Sequence, residues 1–416
     1  MTRALSVWWD ERAAGTLKLT ETGSLSFAYA AEWLADPSAR ALSMSLPKRE
    51  RRFSDRECRP FFAGLLPEHG QRDAVAAALG VSKHNDFALL DALGGEVAGA
   101  LMLWPEGSVP PSSASASPQP LSDRELAGVL DTLPKRPLLA GGDLRLSLAG
   151  VQPKLPVVLV DGRVALPGKG QPTTHIVKPA IDQFPATTEN EALVMRLAAA
   201  VGLDVAAVEV RTVQDRRPFL LVARYDRVLD AGGRVRRLHQ EDFCQAMGVA
   251  PERKYEKEGG PAFANCFELV RRAATRPAVD VLKLVDAAIF NAIAGNADAH
   301  GKNFSLLYAD EEVRLAPLYD LLCTAAYPEL SARLAMKVGG RATIEEMGIK
   351  TWPAFAKAVG VGAPYLSRRV RELCAAVRTR LPAVAGTFSR PHDMAMVHRA
   401  AALIDARATR LVERTV

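Results

Sequence analysis

Residues 296–320 read NADAHGKNFSLLYADEEVRLAPLYD. An apolar run of helical period, VLKLVDAAIFNAIAG (281–295), leads into it. The stretch then gathers Asp298, His300, Lys302 and Asn303 within a few residues, and two alternating runs follow like the arms of a hairpin. A further acid, Asp320, stands at the end of the second arm. A loop facing water is polar anyway, so the rest of the chain has to decide whether this cluster carries chemistry.

The totals narrow the field. A chain of 416 residues exceeds what one compact core holds, so two or three domains are expected. With 48% hydrophobic and 24% charged residues, the composition is that of a globular protein. No apolar run approaches a membrane span, and the acid-containing start MTRALSVWWDERAAG does not read as a signal peptide. Five scattered cysteines without a CxxC argue against a disulfide framework or a zinc site, so the expected location is cytoplasmic, with no membrane partner. A net charge of +6 permits an acidic partner without requiring one. The basic run SRRVRELCAAVRTR (367–380) carries Val370, Leu373 and Val377 at helical spacing, which reads as a solvated helix face.

Along the chain, LSVWWD and TLKLTETGSLSFAY alternate as strands, and EVAGALMLW closes an opening α+β segment over 1–106. A Pro/Ser/Ala-rich linker covers 107–121, too poor in apolar residues to pack. Ser122 and Glu125 make a capping-box spacing, and a second α+β segment runs over 122–226. In it, PVVLVDGRVALP forms two strands about an Asp-Gly turn, and THIVKPA, VAAVEVRTV and RPFLLVARYDR add more. The remainder, 227–416, is mostly helical. The fold class is therefore α+β and bilobed, with a β-rich first lobe and a helical second one.

Asp298 and Asn303 have the D-x-x-x-x-N spacing of a protein-kinase catalytic loop, and Asp320 lies a hairpin later, where such an enzyme places a metal-binding acid. Upstream, GGDLRLSLAGVQPK (141–154) is a small polar loop directly before the Asp-Gly hairpin, suited to wrapping phosphate oxygens. Lys178, on a mostly apolar strand, is either an edge gatekeeper or a phosphate ligand. Glu191 is spaced to close a capping box with Thr188, to orient Lys178 as an ion-pair partner, or to do both. Backbone groups of Ala223, Arg224 and Tyr225 fall at the junction between lobes, where an adenine edge would be met.

Taken together, FFAGLLPE (61–68), SLAGVQPK (147–154), THIVKP (174–179), ENE (189–191), RYDR (224–227), HQEDFCQAMG (239–248), KYEKEGGP (254–261), NADAHGKNFSLLY (296–308) and LAPLYD (315–320) resemble the HipA family. These are kinase toxins of bacterial toxin–antitoxin modules. The resemblance implies a kinase-like bilobed fold and a Ser/Thr protein kinase using ATP and Mg2+. Asp298 would be the catalytic base, with His300 and Lys178 beside it, and Asn303 and Asp320 would hold the metal. The nucleotide would be met by Ala149, Gly150, Val151, Gln152, Pro153, Lys154 and Lys178, by Ala223, Arg224 and Tyr225, and by His300, Lys302, Asn303, Tyr319 and Asp320. Ser147 matches the loop serine that autophosphorylates. The implied partners are a helix-turn-helix antitoxin, operator DNA bound through that complex, and a protein substrate, typically the glutamyl aminoacyl-tRNA synthetase. Two alternatives stand beside this reading. One is a catalytically idle co-repressor, which the presence of every catalytic side chain disfavours. The other is a small-molecule kinase of the aminoglycoside type, whose acidic pocket the basic RVRRLH (234–239) fits poorly.

Overall fold

The alternating runs at the start of the chain fold into an antiparallel sheet of order β3-β2-β1-β4 in the computed structural model. Its strands are β1 (Ala4–Trp9), β2 (Arg12–Leu19), β3 (Leu25–Tyr29) and β4 (Leu101–Pro105). The structure describes residues 4–112, 116–139, 145–181, 183–214, 217–389 and 391–414. Part of the Pro/Ser tract (113–115) and the start of the expected phosphate loop (141–144) lie outside them. The chain divides into two units. The first comprises Met1–Pro179, Arg211–Glu252 and Leu307–Ala309; the second comprises Ala180–Val210, Arg253–Leu306 and Asp310–Val416.

A six-stranded sheet of order β5-β7-β6-β8-β10-β9 is the other sheet that shapes the first unit. Its strands are β5 (Gln119–Pro120), β6 (Leu155–Val160), β7 (Arg163–Leu166), β8 (His175–Pro179), β9 (Val208–Val213) and β10 (Arg217–Ala223). The Asp-Gly turn forms as expected, with Asp161 and Gly162 both at positive φ, as a two-residue hairpin of this twist requires. Ser122 and Glu125 close their capping box at the helix Asp123–Thr132. The linker does not end as free chain, because Gln119 and Pro120 pair with Leu166 and Ala165. One apolar core serves both sheets, running from Leu5, Phe27 and Phe62 to Val157, Val177 and Leu221.

The second unit is mostly helical. The helices Thr187–Ala200, Phe263–Ala273, Pro277–Ala294, Thr351–Val359, Ala363–Ala385 and Pro391–Glu413 supply its core. Phe263 and Phe267 meet Phe355 edge to face, and Val370, Leu373 and Val377 are buried while Arg371, Arg378 and Arg380 face water. The basic run is thus the solvated face its spacing implied. One β-rich and one helical unit make up the bilobed α+β fold that the sequence led us to expect.

Candidate active site

The apolar helix Pro277–Ala294 ends on Gly295 at φ 74°, whose N–H donates to the Asn291 carbonyl. A side chain would be strained in this left-handed backbone, and its Cβ, 2.9 Å from Arg407 Nη1, would displace that guanidinium. The loop that follows is tied down at nearly every residue. Buried Asn296 donates to Asn291 Oδ1 at 2.8 Å and accepts from the Asp298 N–H at 3.1 Å. The Thr324 hydroxyl accepts from the Ala297 N–H at 2.8 Å and donates to the Gly295 carbonyl at 2.9 Å. The Ala335 N–H donates to the Ala297 carbonyl at 2.7 Å. These bonds hold Ala297, Ala299 and His300 buried while leaving the Asp298 side chain exposed. Tyr255 donates its phenol proton to Asp298 Oδ1 at 2.8 Å.

A 3-10 turn, Gly301–Asn303, then brings Asn303 next to Asp320, with Nδ2 3.5 Å from Asp320 Oδ2. Asp320 adopts a left-handed backbone (φ 59°), a conformation that non-glycine residues keep only where the surroundings impose it. The surroundings do so on both sides. Before it, the Ala206 N–H donates to the Leu318 carbonyl and the Leu318 N–H to that of Asp204. After it, Asn190 grips the Cys323 backbone, accepting from its N–H at 2.7 Å and donating to its carbonyl at 3.0 Å. Tyr319 donates to the Lys302 carbonyl and accepts from the Ser305 hydroxyl, each at 2.7 Å.

Asn303 Oδ1 is buried without a hydrogen-bond partner among the described residues. An orphaned amide oxygen costs about 1–3 kcal/mol unless something binds it. An amide oxygen beside a carboxylate is the hard oxygen donor set that suits Mg2+, so the residues present fit that ion.

In the first unit the loop 145–154 packs back on its own neighbours. Ser147 is fully buried; its N–H donates to the Glu96 carbonyl at 2.8 Å and its Oγ to that of Leu65 at 2.7 Å. Its hydroxyl is spent on the core. Gly150 accepts from the Glu68 N–H at 3.1 Å, and Lys154 Nζ donates to the Ala149 carbonyl at 2.6 Å. Glycine is required at 150, with φ 121° and Lys154 Nζ 2.4 Å from where a Cβ would stand. Val151 remains exposed, and Gln152 reaches the Pro179 carbonyl at 3.4 Å.

Lys178 lies on β8, which is flanked by β6 and β10, and is buried. It is therefore no edge gatekeeper. Because Leu155 pairs with Val177, Lys154 and Lys178 enter at the same end of the β6–β8 ladder. Arg224 donates its backbone N–H to the Thr174 carbonyl, and its guanidinium sits in a buried ion cluster with Asp226, at 2.7 Å, and Glu96, at 3.3 Å. Arg227 and Arg237 also hold Glu96, at 2.8 and 2.6 Å. Burial pushes the Glu96 carboxyl up, but Arg237, Arg227 and Arg224 outweigh it and hold it at about 2. Tyr225 donates its phenol to Gln240. The Arg224 side chain is thus committed to this buried cluster.

Two family models match the chain: the HipA N-terminal domain over residues 5–104 and the HipA-like C-terminal domain over 146–382. The chain belongs to the HipA family. A kinase-like protein of Sinorhizobium fredii, Y4mE, is 60% identical over 375 residues, 89% of each chain. The HipA Ser/Thr-protein kinase toxin of Shewanella oneidensis is 32% identical over 344 residues, 77% of each chain. A solved structure of Shewanella oneidensis HipA with HipB and operator DNA matches with a TM-score of 0.86 at 28% identity, covering 99% of each chain. As a HipA-family member the protein is a kinase. Among its described residues no helix is long and apolar enough to cross a membrane.

Several residues that shape this HipA site carried no local signal. Asn190, Thr324 and Tyr255 act through partners far along the chain that only the fold brings near. The Thr188–Glu191 capping box does not form. The helix starts two residues earlier, with Ala186 at φ 52° as its N-cap, so Thr188 is already helical and donates instead to Glu189 at 2.6 Å. Glu191 is buried on that helix in the second unit, whereas Lys178 belongs to the first.

Proposed function

We propose that this kinase transfers the γ-phosphoryl group of ATP to a serine of a protein, with Asp298 as the base and Asn303 and Asp320 as ligands of Mg2+. The observation that carries the reading is the pairing of Asn303 Nδ2 with Asp320 within 3.5 Å, with the Asn303 amide oxygen orphaned, a few residues from an exposed carboxylate on a braced loop. Asp298 accepts the proton of the attacking hydroxyl, from a loop whose backbone is fixed by the bond of its N–H to Asn296. Bound Mg2+ would supply charge neutralisation for the phosphates. Lys178 and Lys154 contribute cationic donors, and the backbone of Ala149 to Pro153 lies over the phosphates. Ala223, Arg224 and Tyr225 offer backbone to the adenine, with His300, Lys302 and Tyr319 completing the nucleotide surroundings.

Ser147 is the proposed autophosphorylation site, which switches the kinase off. A helix-turn-helix antitoxin and, through it, operator DNA are the proposed partners, as the Shewanella oneidensis relative is solved with HipB and its operator. The proposed substrate is an aminoacyl-tRNA synthetase such as the glutamyl enzyme. The test is incubation of the purified protein with labelled ATP, Mg2+ and host extract, followed by mass spectrometry of labelled proteins. A labelled serine in one extract protein, absent with Asp298→Asn, is expected. Equal labelling with Asp298→Asn would discard the assignment.

A further inference from the structure

Tyr255 belongs to KYEKEGGP (254–261), a stretch for which the reading above has no task. Its surroundings are specified from several directions. Its carbonyl accepts from the N–H groups of Glu258 and Gly260, each at 2.9 Å, which fixes the turn that follows. Glu256 next to it accepts from the Lys337 N–H at 2.7 Å. Lys254 Nζ, on a buried side chain, lies 5.5 Å from the phenol ring centroid, and Lys257 Nζ lies 5.8 Å from it. His300 meets the ring edge-on at 5.3 Å with an interplanar angle of 81°. From this seat the hydroxyl donates to Asp298 Oδ1 at 2.8 Å.

An exposed carboxylate on an otherwise buried loop samples several rotamers unless something holds it, and a base that wanders is seldom aligned. We propose that Tyr255 is a positioning residue for phosphoryl transfer, holding the Asp298 carboxylate at Oδ1 so that it stays aimed at the acceptor hydroxyl. The proton of that hydroxyl passes to Asp298 as its oxygen bonds to phosphorus and ADP leaves. The tyrosine keeps its own proton throughout. The ammonium groups of Lys254 and Lys257 polarise the phenol toward donation, and a hydrogen bond donated to a carboxylate favours its ionised form. Tyr255 therefore also widens the acidic range over which Asp298 can act.

The inference rests on Asp298 being the base, so its test separates the two. Tyr255→Phe in the full chain should lower kcat roughly 10- to 100-fold, since a misplaced catalytic group costs up to about that much. KM for ATP and the rise in melting temperature caused by Mg-ATP should stay as in the wild type. The acid limb of the kcat/KM profile should move to higher pH, because the carboxylate loses a donor that favoured its anion. An unmoved acid limb with unchanged kcat overturns the proposal, as does loss of the Mg-ATP shift together with kcat, which marks a merely structural role. A double-mutant cycle read by melting temperature serves where turnover is too low to measure. Tyr255→Phe and Asp298→Ala should be non-additive, and strict additivity overturns the proposal. Full activity in Asp298→Asn would instead sink the base assignment itself.

Discussion

Ser147 Oγ donates to the Leu65 carbonyl at 2.7 Å from a position with no solvent exposure. A phosphate carries about −1.5 to −2 charges at pH 7 and cannot occupy that space. The loop must therefore leave before Ser147 is modified, and it cannot return afterwards. Protein incubated with Mg-ATP is expected to gain one phosphate on Ser147 and then lose activity. Ser147→Ala should block the modification, and Ser147→Asp should inactivate only partly. Tryptic mapping of self-inactivated protein that finds Ser147 unmodified removes the switch and leaves the kinase standing.

Asp320→Asn is expected to abolish phosphoryl transfer without unfolding the second unit. Its side chain is only partly buried, so the change opens no apolar cavity, while the loss of one anionic metal ligand costs several kcal/mol of transition-state stabilisation, on the order of 10²-fold or more in rate. Transfer assays beside thermal melts check this. Undiminished transfer at the wild-type melting temperature would exclude Asp320 as a metal ligand.

Lys178 offers a readout without turnover. A ligand that binds only the native state stabilises it by about 2.7 kcal/mol at roughly 100-fold excess over its Kd. Lys178→Ala should shrink the rise in melting temperature that Mg-ATP gives, and Lys178→Met, which keeps the apolar stem, should shrink it equally. A shift of wild-type size in both variants means that the ammonium does not meet the nucleotide.

How far these sites could be read from the sequence depended on distance along the chain. The Asp-Gly hairpin at Asp161–Gly162 and the Ser122–Glu125 cap are decided by residues next to one another, and both formed as expected. The helix start near Thr188 was misplaced because its cap is a left-handed alanine, which no propensity favours. Lys178 had two readings until the strand order put β8 inside its sheet. The burial of Arg224 beside Glu96 depends on residues 128 apart, which no local pattern reports.

Glu241 gives the first unit a pH dependence. Burial pushes its carboxyl up to about 7 from an ordinary 4.5, against the hydrogen bonds of Ser43, Tyr308 and the Met44 N–H, with Asp242 adding to the rise. The native state thus binds a proton that the unfolded chain has released between those two values. Stability from this group is fully present below about pH 4.5 and is lost as pH rises toward 7, by at most about 1.4 kcal/mol per unit. Glu241→Gln, which copies the protonated form, should flatten that fall in melting temperature. It should leave untouched the loss at lower pH caused by the depressed carboxyls of Glu96 and Asp226. A mutant curve parallel to wild type over pH 5–7 would mean that Glu241 is not the group that titrates.

The cluster on Glu96 sets an order of events during synthesis. The acid emerges from the ribosome well over a hundred residues before Arg224, Arg227 and Arg237, the cations that neutralise it. Until Arg224 and Arg227 have been made, the nascent chain cannot bury this carboxylate without leaving a charge unpaired, a penalty of about 3–5 kcal/mol. The segment around Glu96 must therefore wait for one translated later, and a chain truncated before residue 224 is expected to be a substrate for chaperones and proteases rather than a stable fragment.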